Sequence, residues 1–217
     1  MPKPTLPAPR TLPWPLKDLS SARTSLQIDR HDRMVMDITH DTVAGLAPNH
    51  VAWWFRNIGG EITIDGVRMS RYLAWHPRDH IQWALARPSP AGGAGPGARF
   101  RIVEAFGADP AMRIDVVEEV VRLDESGITL RNRLAGVELT RLSHDFSAAP
   151  GGTAYVSRLT VGCAVAGLAH VINPLLHRLV FTEAMGHAWL RHNVEEVGLL
   201  QHLVPLIHPD FTPARVH

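Results

Sequence analysis

"HAWLRHNVEEVG", residues 187–198, packs two histidines, two adjacent glutamates and an arginine into one stretch. At 100° per residue it belongs to a helix with an apolar stripe of Met185, Trp189, His192, Glu196 and Leu199. A second stripe, Glu183, His187, Arg191 and Glu195, is an i,i+4 ladder of alternating acid and base, the pattern of a solvated face. His192 and Glu196 are therefore expected to point inward, and His187 and Glu195 to face water. An inward carboxylate has to be paired, protonated or bound to a cation, because burying it alone is strongly unfavourable. His and Glu four apart can ligate one ion from one helix face, although a buried His–Glu hydrogen bond satisfies the same pattern.

Working outward, Asn173 and Pro174 read as N-cap and first residue of this helix, which runs to about Gln201 before Pro205 stops it. The chain ahead of it is β-rich. "ARFRIVEAFG", "MRIDVVEEVVRL", "GITLRNRL", "VELTRLSHDF" and "TAYVSRLTVG" alternate with period two, with turns at "DESG" (124–127) and "APGG" (149–152). Asp65-Gly66 signals a hairpin, and "PSPAGGAGPG" (88–97) a flexible edge loop. Near residue 50, a helix entered at Pro48 or Asn49 places Val51, Trp54 and Phe55 on one face. Strands joined by short turns imply an antiparallel meander. The expected fold is α+β: a curved antiparallel sheet gripping a long C-terminal helix, with an apolar cavity between them suited to a small ligand.

The start, "MPKPTLPAPRTLPWPL", has no uninterrupted apolar run and reads as an extended arm over residues 1–25 rather than a signal peptide. The arm packs on a neighbour, which would allow a homodimer, or stays loose; residues 26–217 form a single domain. A net charge of +1 gives no broad pull toward nucleic acid or membrane, and no apolar stretch is long enough to span a bilayer. A lone cysteine, Cys163, excludes an internal disulfide and a cysteine-rich zinc site, and suits a reducing cytoplasm. Thirteen histidines raise the prior for a metal site.

The sheet supplies partners for the helical pair. In "ARFRIVEAFG", Glu104 shares a strand face with Phe100 and Ile102. In "RYLAWHPRDHIQW", His76 and His80 flank Pro77 at the end of a strand; a turn with two surface histidines fits equally. Two imidazoles and two carboxylates suit Zn²⁺, with Mn²⁺ or Fe²⁺ compatible by ligand type. His144, aligned with Leu142 and Phe146, and Tyr155, aligned with Leu159 and Val161, are further inward groups that could equally bond the backbone.

Together, "WWF" (53–55), "YLAWHPRDH" (72–80), "YVSRLTVG" (155–162) and "HNVEEVG" (192–198) resemble the diacetylphloroglucinol hydrolase and phloretin hydrolase family. The likeness runs from about residue 30 to 207, behind an N-terminal part shorter than that of the best-known members. It implies a helix-grip fold of the START and Bet v1 kind. It also implies zinc-dependent hydrolysis of a carbon–carbon bond between a phenolic ring and an acyl carbonyl. By motif, the zinc ligands would be His192, Glu196, Glu104 and either His80, which is favoured, or His76. Tyr72, His144 and Tyr155 would hold the hydroxyls of a small aromatic ketone. The rival readings are a metal-free carrier of hydrophobic small molecules and a polyketide-modifying cyclase of similar shape.

Overall fold

The computed structural model describes residues 4–211. The first three residues of the expected arm and the last six of the expected domain lie outside that range. Strands β1 (Arg23–Ile28), β2 (Met34–Thr39) and the short β3 (Val43–Ala44) lead into helix α1 (Pro48–Asn57). A hairpin of β4 (Glu61–Ile64) and β5 (Val67–Ser70) turns at Asp65-Gly66, as its sequence predicts, and runs directly into α2 (Arg71–Trp75). Six strands follow: β6 (His80–Arg87), β7 (Arg99–Ala105), β8 (Arg113–Asp124), β9 (Gly127–Leu134), β10 (Val137–Ala149) and β11 (Gly152–Val161). Two helices, α3 (Ala169–Leu179) and α4 (Glu183–Leu203), come after the last strand.

The large sheet has the order β1-β2-β11-β10-β9-β8-β7-β6, antiparallel throughout, and β3 adds to β11. From β7 to β11 it is the expected meander, and β6 adds a further strand beside β7. α4 lies across its concave face, and most of the helix from Met185 to Leu203 is buried. One close approach depends on a glycine: a Cβ on Gly186 would sit 2.7 Å from Leu26 Cδ1 and 3.0 Å from Met34 Sδ. Its absence lets α4 settle onto the β1–β2 end of the sheet. The architecture is the α+β helix-grip arrangement.

Four expectations need correction. The chain from Asn173 to Gln201 is two helices. Asn173 lies inside α3, where its buried amide bonds the backbone of Cys163 and His31 and is drawn away from capping. Thr182 is the true cap of α4, accepting from Met185 N–H at 3.3 Å. "RYLAW" is a single helical turn and not a strand end, so His80 opens β6 while His76 sits in the turn before it. Glu195 does not face water: it is 7% exposed, because the turn carrying His76 and Arg78 covers it.

The fourth correction concerns the arm. Its described part lies along its own domain, with Leu12, Trp14 and Leu16 packed on the main core cluster and Trp14 stacked 5.1 Å from the His202 ring. Arg10 donates to the carbonyls of His76 and His80 at 3.3 Å each, and its N–H bonds Pro77 O. The expected boundary at residue 25 cuts through β1, which pairs with β2 from Arg23 onward.

Candidate metal centre and ligand cavity

His80 and Glu104 are direct cross-strand partners in the β6–β7 register. His192 and Glu196 stand one turn apart on α4. Packing the helix on the sheet brings the two pairs together. His80 Nε2 lies 3.3 Å from Glu104 Oε1 and 3.4 Å from Glu196 Oε2. His192 Nε2 lies 3.7 Å from Glu104 Oε2 and 3.8 Å from Glu196 Oε2. His80, His192 and Glu196 hold their ligand atoms within 4.8 Å of one another, and Glu104 closes the cluster by turning one oxygen to each imidazole. All four are at most 8% exposed.

The second contacts of each side chain fix which atom faces the centre. His80 Nδ1–H donates to Tyr72 O at 2.6 Å, and His192 Nδ1–H donates to Asp79 Oδ2 at 3.0 Å. Each imidazole thus turns Nε2 inward. Glu196 Oε1 accepts from the Asn193 amide at 2.5 Å, leaving Oε2 for the centre. The Tyr72 hydroxyl donates to Glu104 Oε1, and the Tyr72 ring stacks on His80 at 3.9 Å.

A cation fits this arrangement. Zinc at 2.0–2.1 Å from N and O ligands gives tetrahedral edges of about 3.3–3.4 Å, against the 3.3–3.8 Å found. His80 Nε2 is fully buried, makes no hydrogen bond among the described residues and is flanked by two carboxylates. The charges agree. Burial opposes ionisation of Glu104, yet His192, His80 and Tyr72 hold its pKa down to about 2. Burial likewise disfavours a charged His192, but Glu104, Asp79 and Glu196 push it up to about 9. Two buried carboxylates call for positive charge between them, supplied by protons or by a metal that displaces them.

His76 is not in this cluster. Its Nδ1 accepts from Asp79 N–H at 3.1 Å and its Nε2–H donates to Glu195 Oε2 at 3.0 Å, so both nitrogens are engaged. The ring stacks behind His192 with centroids 4.4 Å apart. Of the two histidines in the turn, only His80 points into the centre.

Beside the centre lies a cavity of about 120 Å³, lined mainly by apolar side chains such as Phe100, Phe106, Ile114, Leu130, Leu142 and Trp189. Glu104, His192, Glu196 and Tyr72 form part of its wall, and so does His144. His144 Nδ1 is 2.9 Å from Ser157 Oγ, which is 2.9 Å from His40 Nε2. Burial, together with the neighbouring His40, lowers the His144 pKa to about 3 and keeps the ring neutral. Tyr155 does not reach the cavity. The rings of His40, His144 and Phe146 cover it, and its buried hydroxyl makes no hydrogen bond among the described residues.

Two acidic residues went unnoticed in the sequence. Asp79 sits in the His-rich turn, where an acid near an imidazole could have been read as its orienting partner. Its oxygens also take the N–H groups of Gly107 and Ala108, both at 2.9 Å. Glu118 shares its strand face with Ile114 and Val116, and the period-two pattern of 112–123 carries that signal.

No protein-family model matches the chain, and no curated protein matches it. Solved structures do. Protein Ms6760 from Mycobacterium smegmatis superposes with a TM-score of 0.50 at 12% identity, covering 86% of this chain and 97% of its own. A START superfamily protein from the same organism gives 0.43 at 10% identity, covering 75% and 97%. Ara h 8.0201 gives 0.39 at 11% identity, covering 75% and 96%. Such likeness speaks to fold alone, and it agrees with the helix-grip arrangement of sheet and C-terminal helix. Among the described residues no helix is long and apolar enough to cross a membrane.

Proposed function

We propose that this chain binds a small aromatic ketone in the helix-grip cavity and, with zinc held by His80, Glu104, His192 and Glu196, hydrolyses the bond between a phenolic ring and its acyl carbonyl. The observation that carries the reading is the buried Nε2 of His80, which makes no hydrogen bond among the described residues and sits between two carboxylates at 3.3 and 3.4 Å. Zinc bound there would supply Lewis acidity toward a carbonyl oxygen and a water with a pKa of about 7. The protein's own groups do the rest. The apolar walls strip water from the aromatic ring. Tyr72 steadies Glu104 from the cavity side. His144, neutral at physiological pH, offers its second ring nitrogen to a phenolic hydroxyl as a hydrogen-bond partner.

The second reading is a metal-free carrier of hydrophobic small molecules. The largely apolar cavity supports it. Elemental analysis separates the two. About one zinc per chain, lost in Glu196→Ala, together with carboxylic acid released from acylphloroglucinols, supports the hydrolase. Tight binding of such ketones by metal-free protein, with no turnover after zinc loading, supports the carrier.

A further inference from the structure

The cavity has a second polar end. Glu118 is 6% exposed, lies on the cavity wall and makes one hydrogen bond among the described residues, from Thr140 Oγ1 at 3.2 Å. In the β7–β8 register Ile114 faces Glu104 and Glu118 faces Phe100. Four residues of strand, about 13 Å, therefore separate Glu118 from the position beside the metal ligand. Both carboxyls project from the same inward face of the sheet, with apolar wall between them.

A carboxyl can make several hydrogen bonds, and Thr140 satisfies only one. Leaving the rest unmet in an apolar enclosure is unfavourable, unless a ligand meets them. We propose that Glu118 and Thr140 form a specificity subsite that binds a hydroxyl at the far end of the ligand while its ketone lies at the His80–Glu104–His192–Glu196 end. The inference rests on the aryl ketone reading above. A hydroxyl suits the site better than an ammonium group. Burial, with a contribution from the Glu104 charge, raises the Glu118 pKa to about 7, so at neutral pH this carboxyl gives and accepts hydrogen bonds rather than holding a full negative charge.

The test uses two 2,4,6-trihydroxyphenyl ketones that differ at one atom: an acyl chain ending in a 4-hydroxyphenyl ring or in an unsubstituted phenyl ring. Specificity constants (kcat/KM) for carboxylic acid release are measured on zinc-loaded wild type, Glu118→Gln and Glu118→Leu, with melting curves and zinc content recorded for each. Leucine removes a buried ionisable group, so the variant is expected to fold. Wild type is expected to prefer the hydroxylated ligand by about tenfold or more. Glu118→Gln should keep part of that preference, and Glu118→Leu should bring the ratio close to one. An unchanged ratio in the folded leucine variant, or an equal loss for both ligands, overturns the subsite while leaving the aryl ketone reading intact. If wild type hydrolyses neither ketone, that reading falls and the subsite falls with it.

Discussion

Asp79 accepts a hydrogen bond from His192 Nδ1 at 3.0 Å while both of its oxygens are pinned by the backbone N–H groups of Gly107 and Ala108. The carboxylate is thus fixed to the short turn after β7, and through it the turn sets the angle of an imidazole on α4. Such outer partners typically matter 10- to 100-fold for metal affinity. Asp79→Asn is expected to weaken zinc binding by roughly that factor with zinc stoichiometry near one retained at saturation, as measured by competition with a chromogenic chelator.

The two histidines of the turn should behave differently. His80→Ala removes a centre ligand and is expected to abolish tight zinc binding. His76→Ala should keep zinc within a few-fold while costing about 1–3 kcal/mol of stability, since Asp79 N–H loses its buried acceptor. Zinc content and urea denaturation of both variants check the assignment.

Glu118 carries a pH signature of its own. Its folded pKa of about 7 lies above the 4.5 of a free glutamate, so the unfolded chain loses this proton first as pH rises. The proton held by the folded state therefore favours folding below about pH 4.5, and this contribution is lost by the time pH passes 7. Over that window wild type should lose up to roughly 3 kcal/mol relative to Glu118→Gln. Denaturant titrations of the two proteins at pH 5 and pH 8 measure the difference.

His40 and His144 give the opposite slope. Burial holds both pKa values near 3, against 6.5 for a free imidazole. Their contribution is complete above pH 6.5 and declines as pH falls toward 3, by about 1.4 kcal/mol per pH unit for each ring. Replacing His144 with Gln should make the acid limb of the stability curve shallower, read as the urea midpoint between pH 6 and pH 4.

Much of this was legible in the chain. The alternation in 98–162 specified the meander, and the stripe through Met185, Trp189 and His192 placed His192 and Glu196 against the sheet. Parity alone put Glu104 inward with Phe100 and Ile102. The misreadings were of contacts distant in sequence. Glu195 looks solvated on its helix and is buried only because His76 and Arg78 close over it. Asn173-Pro174 has the composition of a helix start, yet the Asn173 amide is taken by Cys163 and His31. β1 is largely exposed at the sheet edge, so little apolar alternation marks it. Tyr155 has the right parity, but neighbouring rings cover it.

The arm should contribute measurably to stability. Trp14→Ala is expected to cost about 2 kcal/mol, less than a fully buried tryptophan would, because the ring is only partly covered. Guanidinium denaturation reads this directly.

The wide spacing of the cluster along the chain also orders its assembly during synthesis. His80 and Glu104 meet across adjacent strands, whereas Asp79 waits 113 positions for the imidazole it orients. A nascent sheet therefore displays one imidazole and one carboxylate, too few donors to retain a cation firmly. On the zinc reading proposed above, capture belongs to the moment when α4 packs onto the sheet, and metal loading is expected to report the completion of folding.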